Sequence, residues 1–475
     1  MSPMTPFLQK HAGLYTDLYE LTMAQGYVLT GKAESPACFD YFFRETPFKS
    51  GYVLFAGLDE LLETLQTLTF EADDLKYLAD LGFQKKFLEY LKNFKFRGKI
   101  YSVREGEVVF PLEPILRVEG TLFEAQLIET LLLNQLNFQS LIATKASRMV
   151  QAAQSRRLVE FGLRRSQGLA GLQASRAAAI GGIEATSNVY ASFLYGLTPS
   201  GTQAHSWIQS FPDELTAFRQ YAQIYPDRCI LLVDTYNTLK SGVPHAIQVA
   251  KEMEARGQKL AGIRLDSGDL AYLSKRSRVL LDQAGLHYVK IVVSNQLDEH
   301  IIKSLLDQGA PINAFGVGTN LVTGQQNPSL DGVYKLSWLD EEPRLKISEN
   351  VTKTSLPGIK KVVRYTDPEG FFYADGVLLE DEKSIEYIHH PHFPEQKSRV
   401  AHCFPESLLF KVMEGGKSLV TLSVPEAAAY AKERLTKLSP ERKRFENPHI
   451  YKVGMSQNLM DMRHKLIQKY QEPRP

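Results

Sequence analysis

The sequence predicts an α/β protein built around a parallel sheet. Three observations carry that prediction. Four short apolar runs recur in the middle of the chain: CILLV (229–233), LAGIRL (260–265), KIVVS (290–294) and NAFGV (313–317). Helical patterns separate them and close on Gly257, Gly285 and Gly309. Polar or glycine residues follow each run at once. Strand, helix, glycine, strand is the pattern of βαβ units, whose helical crossovers make neighbouring strands parallel.

The other elements follow in chain order. Leu14, Leu18 and Leu21 recur at helical spacing within 14–29, and Gly31 supplies a stop. KIYSV, EVVF and ILRVEG, between Lys99 and Thr121, read as short strands of a small antiparallel sheet. A long helical pattern covers 122–152, and RLVEF (157–161) is one more strand. Beyond Gly332, VYKLSWL, RLKIS and KKVVRY are strand-like, and two helical patterns close the chain at 424–435 and 456–471.

Composition limits the function. At roughly 150 residues per domain, 475 residues make about three domains, or two with one large barrel. Hydrophobic residues are 44% and charged residues 23%, ordinary for a globular chain. Lys+Arg is 55 and Asp+Glu is 54, a net charge of +1. Such a chain has no global field to gather nucleic acid or anionic lipid, so neither is expected as a partner. No run approaches a membrane span and the N-terminus lacks a secretory h-region. Cys38, Cys229 and Cys403 are odd in number and far apart, which points to a reducing, cytoplasmic setting.

Three motifs are set aside. GYVLTGKA (26–33) nearly matches a phosphate loop, but Ala33 stands where a hydroxyl is needed and the segment follows a helix pattern. HHPH (389–392), with His402 and Cys403, has no zinc spacing. PERKRF (440–445) reads as a solvated loop.

Four segments carry chemistry. Phe161-Gly162-Leu163-Arg164-Arg165 follows a strand, and its arginines can grip phosphate with planar, paired donors. Ser200 to Ser206 is a small-residue loop containing His205, and a loop imidazole can act as acid, base or nucleophile. LDSGD (265–269) sets two carboxylates three apart, suited to ribose hydroxyls or hydrated Mg²⁺, with a helix N-cap as the plainer account. Gly316-Val317-Gly318-Thr319 lacks the third glycine of a dinucleotide fingerprint and fits a nest of N–H groups around one phosphate. Together these describe a site for a phosphorylated sugar with Mg²⁺ at the carboxyl ends of parallel strands.

At these residues the chain resembles the nicotinate phosphoribosyltransferases. The resemblance runs through YTDLYELTMA (15–24), FDYFFR (39–44), EFGLRR (160–165), GTQAHS (201–206), VDTYNT (233–238), GIRLDSGDL (262–270), VVSNQLDE (292–299), FGVGTNLVT (315–323) and GVYKL (332–336). It implies the type II phosphoribosyltransferase fold, an irregular (β/α) barrel with a second, smaller α/β domain. Residues 1–130 would form part of that second domain and 131–335 the barrel with the active site. Residues 336–475 would follow, their first part returning to the N-terminal domain. The sheet-like stretches 99–121 and 333–365 would belong together.

The activity implied joins nicotinate to phosphoribosyl diphosphate, giving nicotinate mononucleotide and diphosphate in NAD salvage. ATP is a co-substrate, hydrolysed through a phosphohistidine at His205, and Mg²⁺ is the cofactor. By the same matching, Phe161 and Tyr15 sandwich the ring, Tyr15 coming from the neighbouring subunit of a homodimer with shared sites. Arg264 and Thr202 hold the carboxylate, with a bidentate guanidinium pair as the larger electrostatic contribution. Asp234 and Asp266 meet ribose hydroxyls or the metal, for which Asp266 is the candidate ligand. Arg164, Ser294, Gly316, Gly318 and Thr319 hold phosphoribosyl diphosphate.

Two alternatives stand beside this reading. Nicotinamide phosphoribosyltransferases tend to carry an Asp near the ring site, where this chain has Gly201-Thr202-Gln203. A phosphosugar lyase or isomerase on a barrel commonly needs a Schiff-base lysine or a well-placed general base near the strand ends, and no lysine ends the four runs.

Overall fold

The computed structural model describes residues 11–347, 354–393 and 395–471. The chain divides into two compact units, 145–325 and the pair of segments 1–144 and 326–475. The division falls inside the helix Glu129–Ala153.

Unit 145–325 holds the parallel sheet. Its strands are β1 (Arg157–Glu160), β2 (Ala185–Thr186), β3 (Thr198–Pro199), β4 (Ile230–Leu232), β5 (Gly262–Leu265), β6 (Lys290–Ser294) and β7 (Ala314–Val317). They lie in the order β3-β2-β1-β7-β6-β5-β4, and every neighbouring pair is parallel. The four apolar runs and RLVEF are therefore strands, and the helices Val243–Glu254, Leu270–Gln283 and Glu299–Asp307 fall where their periodicity places them. Alternation explains the packing. Leu231 and Val233, Ile263 and Leu265, Ile291 and Val293, and Phe315 and Val317 are all 0% exposed. Residues two apart share a face of a strand, and each such side chain contributes roughly 1.5–3 kcal/mol on burial.

The sheet corrects the expectation of a barrel. It stays open, with β3 and β4 as its two edges. Pro199 has no N–H to offer a ladder, which suits it to an edge. The arrangement is a parallel half-barrel.

A buried ion triad lies in the same unit. Glu299 meets Lys145 and Arg148, each at 2.8 Å, and all three side chains are at most 1% exposed.

The second unit holds two large sheets and a two-stranded one. Its first sheet has seven strands in the order Glu342–Pro343, Gly332–Leu339, Pro36–Phe43, Leu116–Thr121, Lys99–Ser102, Phe410–Glu414 and Lys417–Ser418. Lys99–Ser102 and Leu116–Thr121 thus share one sheet with Gly332–Leu339. KKVVRY does not join them. It lies in Lys360–Thr366, inside a separate six-stranded sheet with Phe372–Leu379 and Lys452–Met455. Of RLKIS, residues 344–347 are not in a strand, and Ser348 lies outside the described residues. EVVF forms only Val108–Val109, paired with Val53–Leu54. No helix among the described residues is long and apolar enough to cross a membrane.

Candidate functional site

Strand register builds the rim. Leu265 stands opposite Val293, Ser294 opposite Gly316, and Val317 opposite Glu160. Residues that follow β1, β2, β3, β5, β6 and β7, with Leu232 of β4, face one cleft of about 530 Å³. That volume is in the range of small-molecule sites. Of the residues expected from the sequence, the cleft is lined by Phe161, Arg164, Thr202, His205, Arg264, Asp266, Ser294, Gly316, Gly318 and Thr319. A roomier groove of about 800 Å³ in the other unit contains none of them.

Arg264 is the hub. Its Nε donates to Ser294 Oγ at 2.9 Å and its Nη2 to Asp266 Oδ1 at 2.8 Å. Its Nη1 donates to Thr202 Oγ1 at 3.1 Å and to the Gln203 carbonyl at 3.4 Å. Its guanidinium carbon lies 5.5 Å from the centre of the Phe161 ring. A guanidinium has five N–H groups. Four are engaged here, so a bidentate grip on a further carboxylate requires one of the long Nη1 bonds to be given up.

Phe161 is held from behind. Its N–H donates to Val317 O at 2.7 Å. A Cβ on Gly316 would stand 2.5 Å from two ring carbons of Phe161, so glycine is what lets the ring pack this close to β7. A Cβ on Gly162 would stand 2.2 Å from Val322 Cγ1.

The carboxylates separate into roles. Asp269 is the N-cap of Leu270–Gln283, its side chain accepting from Tyr272 N at 3.0 Å. Such a cap leaves little for a ligand. Asp266 lines the cleft. Asp234 lies behind it, with Oδ2 accepting from Asp266 N at 2.8 Å and Ser267 Oγ at 2.6 Å. Asp234 Oδ1 is buried without a hydrogen-bond partner among the described residues.

His205 opens the short helix His205–Gln209, and its Nδ1 is 3.0 Å from Thr235 Oγ1. Arg164 and Arg165 are exposed, and neither has a carboxylate partner among the described residues. With Arg264 they set three guanidiniums against one lining carboxylate, Asp266. A cleft so lined attracts anions.

Tyr15 belongs to the other unit. It is 37% exposed, and its hydroxyl donates to Asn134 Oδ1 at 3.0 Å.

Sequence reasoning missed several residues. Asn295 and Gln296 line the cleft with φ of 100° and 42°, and the Gln296 carbonyl is held by Asn320 Nδ2 at 2.8 Å. Non-glycine residues in that region are uncommon and collect at functional sites, but only coordinates reveal them. Glu160 read as part of a strand, yet it is a buried acid directly behind Phe161.

Comparison with known proteins shows the family. The chain matches the nicotinate phosphoribosyltransferase N-terminal domain over residues 14–137, the nicotinate phosphoribosyltransferase family over 156–368, and the C-terminal domain over 359–463. It is 42% identical to the nicotinate phosphoribosyltransferase of Bacillus subtilis, covering 98% of both chains. The chain belongs to the nicotinate phosphoribosyltransferase family. The crystal structure of human nicotinic acid phosphoribosyltransferase is similar throughout, with a TM-score of 0.85, 32% identity, and coverage of 95% of this chain and 99% of that one. A nicotinate-nucleotide pyrophosphorylase from Pyrococcus furiosus shares the fold, at a TM-score of 0.72 and 24% identity, over 92% of this chain and 97% of its own. Within the nicotinate phosphoribosyltransferase fold, the half-barrel rim carries the cleft, and the remaining strands make up the N- and C-terminal domains.

Proposed function

We propose that this chain joins nicotinate to phosphoribosyl diphosphate in NAD salvage. The observation that carries the reading is the pairing of Arg264 with the Phe161 ring at the mouth of a cationic cleft. A flat anion needs an aromatic face beside a guanidinium, and both are on one rim.

The chemistry is a displacement at the sugar C1. The lone pair of the pyridine nitrogen forms the new C1–N bond as the C1–O bond to diphosphate breaks, so no proton has to be removed. Positioning and neutralisation of the leaving group then carry catalysis. Phe161 and Tyr15 of the partner subunit hold the ring in a homodimer. Arg264 and Thr202 anchor its carboxylate, Arg164 meets diphosphate, and Ser294, Gly316, Gly318 and Thr319 hold the 5-phosphate. Asp234 and Asp266 meet ribose hydroxyls or Mg²⁺.

The orphaned Asp234 Oδ1 and the neighbouring Asp266 carboxylate make a hard-oxygen donor set that fits Mg²⁺. Mg²⁺ bound there offsets the charge of diphosphate.

ATP is the co-substrate. In the tautomer whose Nδ1–H donates to Thr235 Oγ1, Nε2 of His205 carries the lone pair. It attacks the γ-phosphorus, the bond to ADP breaks, and a phosphohistidine results. Buried Cys38 and Cys229 and half-buried Cys403, all free, fit a cytoplasmic setting.

Mononucleotide formation from nicotinate, with and without ATP, tests the reading. Formation from nicotinate in preference to nicotinamide, with diphosphate released and a rate raised by ATP, supports it. Preference for the amide, or no release of diphosphate, overturns it.

A further inference from the structure

Glu160 ends β1 and is 1% exposed. Its Oε1 accepts the N–H of Gly162. Its Oε2 accepts the hydroxyls of Ser175 at 2.9 Å and Thr186 at 2.5 Å. Its own carbonyl accepts the N–H of Ser187 at 2.8 Å. Asn188 closes the ring of contacts, donating from Nδ2 to Ser175 Oγ at 3.2 Å and from its backbone N–H to Thr186 Oγ1 at 2.9 Å.

Among the described residues no lysine, arginine or histidine pairs with this carboxylate. A buried acid without a cation is costly, and a packed apolar side chain of similar volume serves stability as well or better. Its hydrogen bonds are directional, and that direction is informative. The bond from Gly162 N–H spans Phe161, whose own N–H is tied to Val317 O. Phe161 is thus fixed on both sides of its Cα. The same carboxylate reaches Thr186, and the next residue, Ser187, lines the cleft together with Phe161.

We propose that Glu160 is a positioning residue for the nicotinate pocket, setting the Phe161 stacking face and its distance from the Ser187 wall. The proposal rests on the reading above that Phe161 meets the nicotinate ring. Glu160 itself stays behind the turn and touches no substrate.

Glu160→Gln is the test variant, made in the full chain and assayed by steady-state kinetics with nicotinate varied. A positioning role raises KM for nicotinate about tenfold with kcat within about threefold, whereas a merely structural role lowers the active fraction and so kcat, leaving KM alone. Repeating the substitution in a Phe161→Leu background gives the second readout. If Glu160 acts through Phe161, its effect on KM shrinks to about twofold or less there, because coupled residues are not additive. A pure loss of kcat, or an undiminished effect in that background, overturns the proposal. Should Glu160→Gln fail to fold, Ser175→Ala and Thr186→Val each remove one donor from the same carboxylate. A rise in nicotinate KM of about threefold in either supports the proposal, and no rise in both overturns it. A parent chain that neither binds nor converts nicotinate overturns the functional reading and this proposal with it. An active parent with unshifted variants overturns this proposal alone.

Discussion

Arg264 and Asp266 flank the last residue of β5 and pair across it, Nη2 to Oδ1, at 2.8 Å. Ser294, on the neighbouring strand, bridges the pair by accepting from Arg264 Nε and donating to Asp266 Oδ1. The guanidinium is therefore aimed before any ligand arrives, and little side-chain freedom is left to lose on binding.

Removing that aim weakens ligand binding. Arg264→Ala is expected to lower nicotinate affinity by ~2–5 kcal/mol, as for one partner of a buried charge pair. Arg264→Lys restores only part of the loss, because an ammonium cannot keep the planar fork that meets Ser294, Thr202 and Asp266 together. Calorimetric titration with nicotinate measures both, and an unchanged affinity in Arg264→Ala removes the residue from the pocket.

Gly316→Ala places a methyl group 2.5 Å from the Phe161 ring. The ring has to move, at a cost in stability of about 1–3 kcal/mol. Thermal unfolding should show the loss and kinetics a raised KM for nicotinate. Gly201→Ala is the contrast, since a Cβ there meets nothing within 4 Å and stability should hardly change. Equal melting temperatures for Gly316→Ala and the parent would refute the close approach.

His205→Asn should take up no label from γ-labelled ATP and lose the ATP stimulation while keeping basal synthesis. Thr235→Val keeps the nucleophile but frees its ring, and labelling should slow by about tenfold through poorer orientation. Undiminished label in His205→Asn would move the phosphorylation elsewhere.

Glu20, in the other unit, is fully buried, and Gln126 Nε2 donates to it at 2.8 Å. Burial, with lesser help from the charges of Glu129 and Asp17, pushes its carboxyl up to about 7 against the hydrogen bonds from Gln126 and Tyr19. The folded chain therefore holds a proton that the unfolded chain has released between the ordinary carboxylate range and about pH 7. More protons bound in the native state means that stability falls as pH rises through that window. Glu20→Gln has no such titration. Its melting temperature should gain on the parent between about pH 5 and about pH 8. Parallel pH profiles for the two chains would rule the titration out.

Strands β4 to β7 were legible because each is a local apolar run and the helices between them close on Gly257, Gly285 and Gly309. Phe161 and Arg264 could be picked out at strand ends and His205 in a small-residue polar loop, whereas Ser294 came only from the family resemblance. The open edge was not legible. β2 and β3 are two residues long and carry no apolar run, so nothing local announces where the ladder stops. Nor could local pattern show that 332–339 and 360–366 belong to different sheets, since partner choice is set by contacts far apart in sequence. Glu160 stayed hidden because a charged residue at a strand end looks exposed until its hydroxyl partners, 15 and 26 residues on, fold over it.

Because β3 and β4 do not pair, residues 200–229 run through a seam in the half-barrel, and His205 rides on that seam. Across it run side-chain threads: Gln203 Nε2 to Ile230 O at 3.2 Å, and His205 to Thr235. Displacing the imidazole would thus break threads of that kind and no rung of the sheet.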